Sequence, residues 1–194
     1  MAGAWRVKVC STRREDKLKA TMKRYQDPQV EAHLFEDDGR IPNNPELSLL
    51  VYTGVLPRSA TLPSGCEALF RENGWGGSWR DGVFPYHHYH STAHEVLGVV
   101  KGSARIAFGG EAGVTAEVGA GDVVVIPAGV GHCNLGSSRD FLVVGAYPRG
   151  QSRDLRTGEP YERPGVLENI RKVPLPEKDP VFGEEGPLTK HWTK

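Results

Sequence analysis

His88, His90 and Glu95 in one stretch, with His132 in a later one, are the residues whose types and spacing point most directly to chemistry. Side chains alternate across a strand, so His88 and His90 face one way while His87 and Tyr89 face the other. Two imidazoles on one face form a chelate. Glu95 follows a short turn and can swing its carboxylate toward them, and His132 arrives from a second hairpin. Three neutral imidazoles and one carboxylate suit a divalent transition metal such as iron, manganese, zinc or nickel, and leave positions open for a reacting molecule. The expected centre is one metal ion per chain held by His88, His90, Glu95 and His132, with Glu95 also the candidate proton acceptor.

Such a set needs strands to position it, and the chain supplies them. Leu47–Tyr52, Val83–His90, His94–Val100, Ser103–Phe108, Val114–Val118, Asp122–Ile126 and Phe141–Tyr147 are short runs, most of them rich in Val, Ile, Phe or Tyr. Gly109-Gly110, Gly119-Ala120-Gly121-Asp122 and Gly136-Ser137-Ser138 punctuate them, which predicts an antiparallel sandwich or barrel. Ala104, Ile106 and Phe108 should share its inner face, as should Val114, Ala116 and Val118. A short helix with a glycine stop is expected over Pro63–Gly74. Residues 1–30 form a charged arm, residues 31–194 a single domain with its barrel core at about 46–150, and residues 151–194 a Pro- and charge-rich extension along the outside or against a partner subunit.

Bulk properties exclude several classes. Twenty-four basic residues balance 24 acidic ones, so no global field attracts nucleic acid or an anionic membrane. No run approaches the roughly 20 apolar residues of a membrane helix, and residues 1–10 lack the apolar stretch of a signal peptide. Cys10, Cys66 and Cys133 are odd in number and widely spaced, which argues against a disulfide framework. A cytoplasmic protein with no nucleic-acid or membrane partner is the expectation.

The pattern resembles the cupin superfamily. Gly82, His88, His90, Glu95 and Gly102 match its first motif throughout. Gly121, Pro127, Gly129 and His132 match the second, whose final asparagine is Gly136 here, at an expected turn. Phrases such as Ile41-Pro42-Asn43-Asn44, Gly145-Ala146-Tyr147-Pro148 and Asp179-Pro180-Val181 are similar to the small single-domain, YjlB-like branch. The resemblance implies an all-β fold, a cupin double-stranded β-helix (jelly-roll) barrel with short flanking helices and N- and C-terminal arms. It also implies a homodimer.

Other side chains fill in the expected site. Tyr86 shares the His88 face and should line the pocket. His94 neighbours Glu95 and either orients the carboxylate or bonds a loop. Arg105 and Arg80 could meet a substrate carboxylate, although a solvated or structural ion pair is the better expectation for either, Trp75 and Trp79 should form a bend or rim loop, and Cys133 should turn away from the metal. The leading function is a metal-dependent enzyme, an oxygenase, acting on a small organic molecule. The alternatives are a non-redox isomerase, decarboxylase or hydrolase using the metal as a Lewis acid, or a non-catalytic ligand-binding barrel.

Overall fold

The computed structural model describes residues 28–193, so most of the expected N-terminal arm, with Cys10, lies outside the described residues. Among the described residues, nine strands form two sheets. They are β1 (Val30–His33), β2 (Leu49–Tyr52), β3 (Trp75–Asp81), β4 (Glu95–Lys101), β5 (Ser103–Phe108), β6 (Val114–Gly119), β7 (Val123–Ile126), β8 (His132–Ser137) and β9 (Leu142–Pro148). The six-stranded sheet runs β1-β2-β7-β4-β9-β3 and the three-stranded sheet β6-β5-β8, with all pairings antiparallel. Helices α1 (Pro63–Glu72), α2 (Gly165–Lys172) and α3 (Pro187–His191) flank them. No described helix is long and apolar enough to cross a membrane.

Period-2 alternation divides the core in two. In β7, Val123 and Val125 join a cluster on the outer side of the large sheet, while Val124 and Ile126 join the cluster between the sheets. β4 does the same, with Val96 and Val100 outward and Leu97 and Val99 inward. The expected inner face of β5 is present, since Ala104, Ile106 and Phe108 all lie in the inter-sheet cluster together with Val118, and Val114 and Ala116 pack against it.

Helix α1 opens with Pro63 at its first turn, where a missing N–H costs nothing, and ends before Gly74, whose φ is +82°. Cys66 and Phe70, one turn apart, bury against Gly98. A Cβ at Gly98 would lie 2.6 Å from the Cys66 sulfur and 2.9 Å from the Phe70 ring, so glycine sets how closely the helix approaches β4. The segment after β9 folds back over this outer side. Asp179 is fully buried there, accepting hydrogen bonds from the Tyr52 hydroxyl (2.8 Å) and the Val181 and Leu188 backbone (2.8 and 3.0 Å).

The expected strand over Val83–His90 does not form. The large sheet instead ends on β3, which the sequence reading assigned to a bend or rim loop. Gly76 and Gly77 are absorbed there by a register shift between Gly76 and Trp79, which an edge strand tolerates. Pro85 has no N–H to give a ladder, and only isolated bridges at His88 and Tyr89 follow it. Gly136 lies inside β8, not in a turn, next to the shift that leaves Leu135 unpaired between Asn134 and Gly136.

Candidate metal centre

Glu95 begins β4 on the same inward face as Leu97, and His132 begins β8 opposite Phe108, which also faces inward. His88 and His90 arrive on the extended stretch beside them. His88 exchanges backbone hydrogen bonds with His132, at 3.1 and 2.9 Å, and the intervening Tyr89 turns away into a separate cluster with Ile41 and Val166. The expected alternation of His88 and His90 against Tyr89 therefore survives without a full strand.

The ligand atoms of His90, Glu95 and His132 all lie within 4.8 Å of one another, and all three residues are buried. His90 Nε2 is 3.5 Å and His132 Nε2 3.4 Å from the same carboxylate oxygen, Glu95 Oε2. His88 stands one step back. It lines the same cavity, with its ring centroid 4.0 Å from that of His132 and 6.0 Å from that of His90, but it is not one of the three converging donors.

The far nitrogen of each imidazole fixes its tautomer. Nδ1 of His90 meets the Asp154 carbonyl, Nδ1 of His132 the Val130 carbonyl at 3.3 Å, and Nδ1 of His88 the Tyr86 carbonyl at 3.1 Å. A carbonyl only accepts, so each Nδ1 carries a proton, and in the neutral ring Nε2 is a lone pair. Two such lone pairs facing one carboxylate oxygen repel unless a cation or a proton lies between them. This donor set, with its rings oriented by carbonyls, could hold a metal ion.

Electrostatics agree with the geometry. With a proton between the groups, the charge and hydrogen bonds of the His90 and His132 imidazoles outweigh the burial that opposes ionisation of Glu95 and hold the carboxyl well below its ordinary range. Burial likewise opposes charge on His90, and the Glu95 carboxylate overrides it and raises that pKa. Burial and the neighbouring His132 push His88 down to about 3, leaving it a neutral imidazole.

The other Glu95 oxygen is held by residues the sequence reading gave no such role. The Tyr147 hydroxyl donates to Oε1 at 2.8 Å, and the Trp79 indole N–H donates to the Tyr147 oxygen at 2.6 Å. Gly145 makes room for this, because it pairs with Trp79 and a Cβ there would run into the indole. These side chains line a cavity of about 190 Å³ together with Val83, Phe84, Leu97 and Arg153.

Three expected site residues sit elsewhere. Tyr86 is 43 % exposed and outside the cavity lining, stacked on Phe84 at 5.1 Å, because Pro85 interrupts the regular alternation that would have turned it inward; it serves His88 through its backbone carbonyl. His94 lies on the opposite face from Glu95, as strand alternation requires of a neighbour. Its Nδ1 accepts the Ala128 N–H at 3.0 Å and its ring packs on Trp192 at 4.8 Å, so it bonds a loop and does not touch the carboxylate. Arg105 alternates with Ala104 and Ile106 and is exposed on the solvent face of β5. Arg80 lines the cavity mouth, but its guanidinium is taken bidentately by Glu67, at 2.7 Å for each bond. Trp75 is fully buried and donates to the Lys178 carbonyl, whereas Trp79 is the tryptophan of the cavity. Cys133 is a buried free thiol, opposite Ala107.

Comparison with known proteins places this geometry. A family model described as Cupin matches residues 80–149. The Bacillus subtilis (strain 168) protein described as "Uncharacterized protein YjlB" is 46% identical over 166 residues, covering 86% of this chain and 98% of that protein. Among solved structures, acireductone dioxygenase from Bacillus anthracis, with a cadmium ion in its active centre, aligns at TM-score 0.38 and 16% identity over 71% of this chain and 89% of its own. Procruciferin, an 11S globulin from Brassica napus, aligns at TM-score 0.35 and 17% identity over 76% of this chain, which spans 33% of the globulin. With the inward His and Glu set between two sheets and a near full-length relative at 46% identity, the chain belongs to the cupin family, as a YjlB-like member.

Proposed function

We propose that this protein is a metal-dependent enzyme acting on a small organic molecule, with an oxygenase reaction as the leading assignment. The observation that carries the reading is the convergence of His90, Glu95 and His132 at the floor of a cavity, each imidazole oriented by a backbone carbonyl. Two histidines and one carboxylate with open positions are the donor pattern of non-haem iron oxygenases. A bound iron or manganese ion would supply redox chemistry with dioxygen, and zinc or nickel would supply Lewis acidity alone.

The protein's own residues account for the rest. Tyr147 fixes one oxygen of Glu95, so Oε2, toward His90 and His132, is the oxygen that would hold the ion and, on leaving it, take a proton. Leu97 and Val83 add apolar wall beside the three donors, which limits water and strengthens polar contacts made there. The same donor set also occurs in hydrolytic zinc sites, which sustains the non-redox reading. A homodimer in a reducing, cytoplasmic compartment completes the proposal, supported by the position of β1 and β3 at the edges of the large sheet and by the buried free thiols of Cys66 and Cys133, among the described residues.

Metal analysis of the purified protein beside a His90→Ala, His132→Ala variant tests this. Iron or manganese near one per chain that disappears in the variant, with substrate-dependent oxygen uptake, is the expected result. Zinc or nickel with turnover under anaerobic conditions would move the assignment to the non-redox reading. Negligible metal in both proteins after reconstitution would overturn it.

A further inference from the structure

Two guanidinium groups reach the cavity, and they differ in what they have left to bind. Arg80 is neutralised by its two hydrogen bonds to Glu67. Arg153 forms no hydrogen bond or ion pair with any carboxylate among the described residues; its guanidinium carbon lies 5.6 Å from the centroid of the Tyr147 ring, and its charge also acts on His90. The acid next to it in sequence is already committed, since Asp154 accepts from the Ser91 N–H and hydroxyl, both at 2.6 Å, and from Arg156 at 2.7 Å.

The backbone on both sides of Arg153 is fastened. Thr92 donates to the Ser152 carbonyl at 2.7 Å and accepts the Asp154 N–H at 3.1 Å, and the Asp154 carbonyl orients His90. Arg153 is therefore an exposed side chain on a fixed strap, held at the mouth of the cavity over the tyrosine that grips Glu95. A guanidinium with no carboxylate partner among the described residues, at a cavity whose wall includes Val83 and Leu97, favours an anion with two parallel acceptor oxygens. The volume, about 190 Å³, lies below the roughly 300–1,000 Å³ of pockets for drug-sized ligands, which sets the scale of the guest.

We propose that Arg153 is the specificity-determining residue of this cavity, and that the molecule it admits is a small organic carboxylate whose acid group pairs with the guanidinium while the rest of the molecule reaches toward Glu95. This rests on reading the cavity as a substrate site. Arg153 then takes the carboxylate-pairing role considered above for Arg80 and Arg105.

Isothermal titration of the full-length protein with acetate, pyruvate, malonate and succinate, each beside its amide, tests the proposal, with metal content measured on the same samples. At least one acid should bind about ten- to a hundredfold tighter than its amide, the range of a charge-assisted bond. Arg153→Gln should erase that preference with metal content unchanged, Arg153→Lys should restore part of it, and Arg80→Gln should retain it. Should Arg153→Gln not fold, Arg153→Lys carries the test through the loss of the two-point fork. An absence of acid preference across the whole panel overturns the proposal. So does a preference that survives Arg153→Gln, or one that vanishes on chelation, since it then belongs to the ion. Negligible metal with an Arg153-dependent preference would instead sink the metal-enzyme reading and leave this one standing.

Discussion

His94 and Glu95 are adjacent, and both are buried, yet they belong to different halves of the molecule. Glu95 turns between the sheets into a ring of polar partners, with Tyr147 on one oxygen and two imidazoles on the other. His94 turns to the outer side, under Trp192, and keeps a single short contact to the Ala128 N–H; its other nitrogen lies near the Pro174 carbonyl without closing a well-formed hydrogen bond. Burial lowers the His94 pKa to about 3, whereas the imidazoles beside Glu95 override burial and stabilise its charge. Burial alone does not make a site. What separates the two is the face of the strand, and with it whether charge is shared or refused.

The strongest blow to that contrast is Tyr147→Phe, which leaves the Glu95 side as poorly satisfied as the His94 side. It strips one carboxylate oxygen of its donor and the Trp79 N–H of its acceptor. Two orphaned groups at about 1–3 kcal/mol each should lower the unfolding free energy in urea. Loss of the group that orients a ligating carboxylate should weaken metal affinity about 10- to 100-fold, measured by chelator competition. Unchanged affinity would show that Tyr147 is part of the wall and nothing more.

His94→Leu attacks the other half. It orphans one buried N–H, that of Ala128, at a cost of about 1–3 kcal/mol, and metal affinity should stay at the wild-type value. The pH dependence sharpens the point. A histidine depressed from 6.5 to about 3 is neutral in the folded chain while the unfolded chain binds its proton. Its contribution to stability is therefore complete above pH 6.5 and is lost as pH falls toward 3, by about 1.4 kcal/mol per unit at most. Unfolding titrations from pH 7 to 4 on metal-free protein should show a shallower slope in the variant. An identical slope would mean that His94 is not held neutral.

How far the site could be read from the sequence follows from distance along the chain. His90 and Glu95 are close in sequence and share a face, and His132 was found through its own motif, so the three donors were legible. Most strands were legible too, because Val-rich alternation survives wherever both faces are buried, as in β4 and β7. Trp79 and Arg153 reach the ligands only through the pairing of β3 with β9 and the strap that follows β9. No local pattern announces that pairing. Tyr147 carried a usable signal, since Val143, Gly145 and Tyr147 share a face, and Val143 lies in the inter-sheet core. Tyr86 misled because Pro85 breaks the alternation on which its placement relied.

The smallest expected effect is that of Arg105→Ala, and it tests whether face outranks chemistry. Arg105 is chemically equivalent to Arg153, and the same alternation that puts Ala104, Ile106 and Phe108 inside puts it outside. It lies opposite Glu117, a cross-strand pair exposed to solvent, where screening leaves such a pair worth about 0–1 kcal/mol. The substitution should therefore shift unfolding free energy by no more than about 0.5 kcal/mol, with metal affinity and the carboxylate preference of the cavity both at wild-type values. Arg105 and Arg153 make the comparison of the two halves without the complication of a buried charge. If removing Arg105 weakened acid binding as much as removing Arg153, the cavity would be responding to any nearby cation of the barrel, and the strap at residues 151–156 would lose its claim to place the one guanidinium that matters.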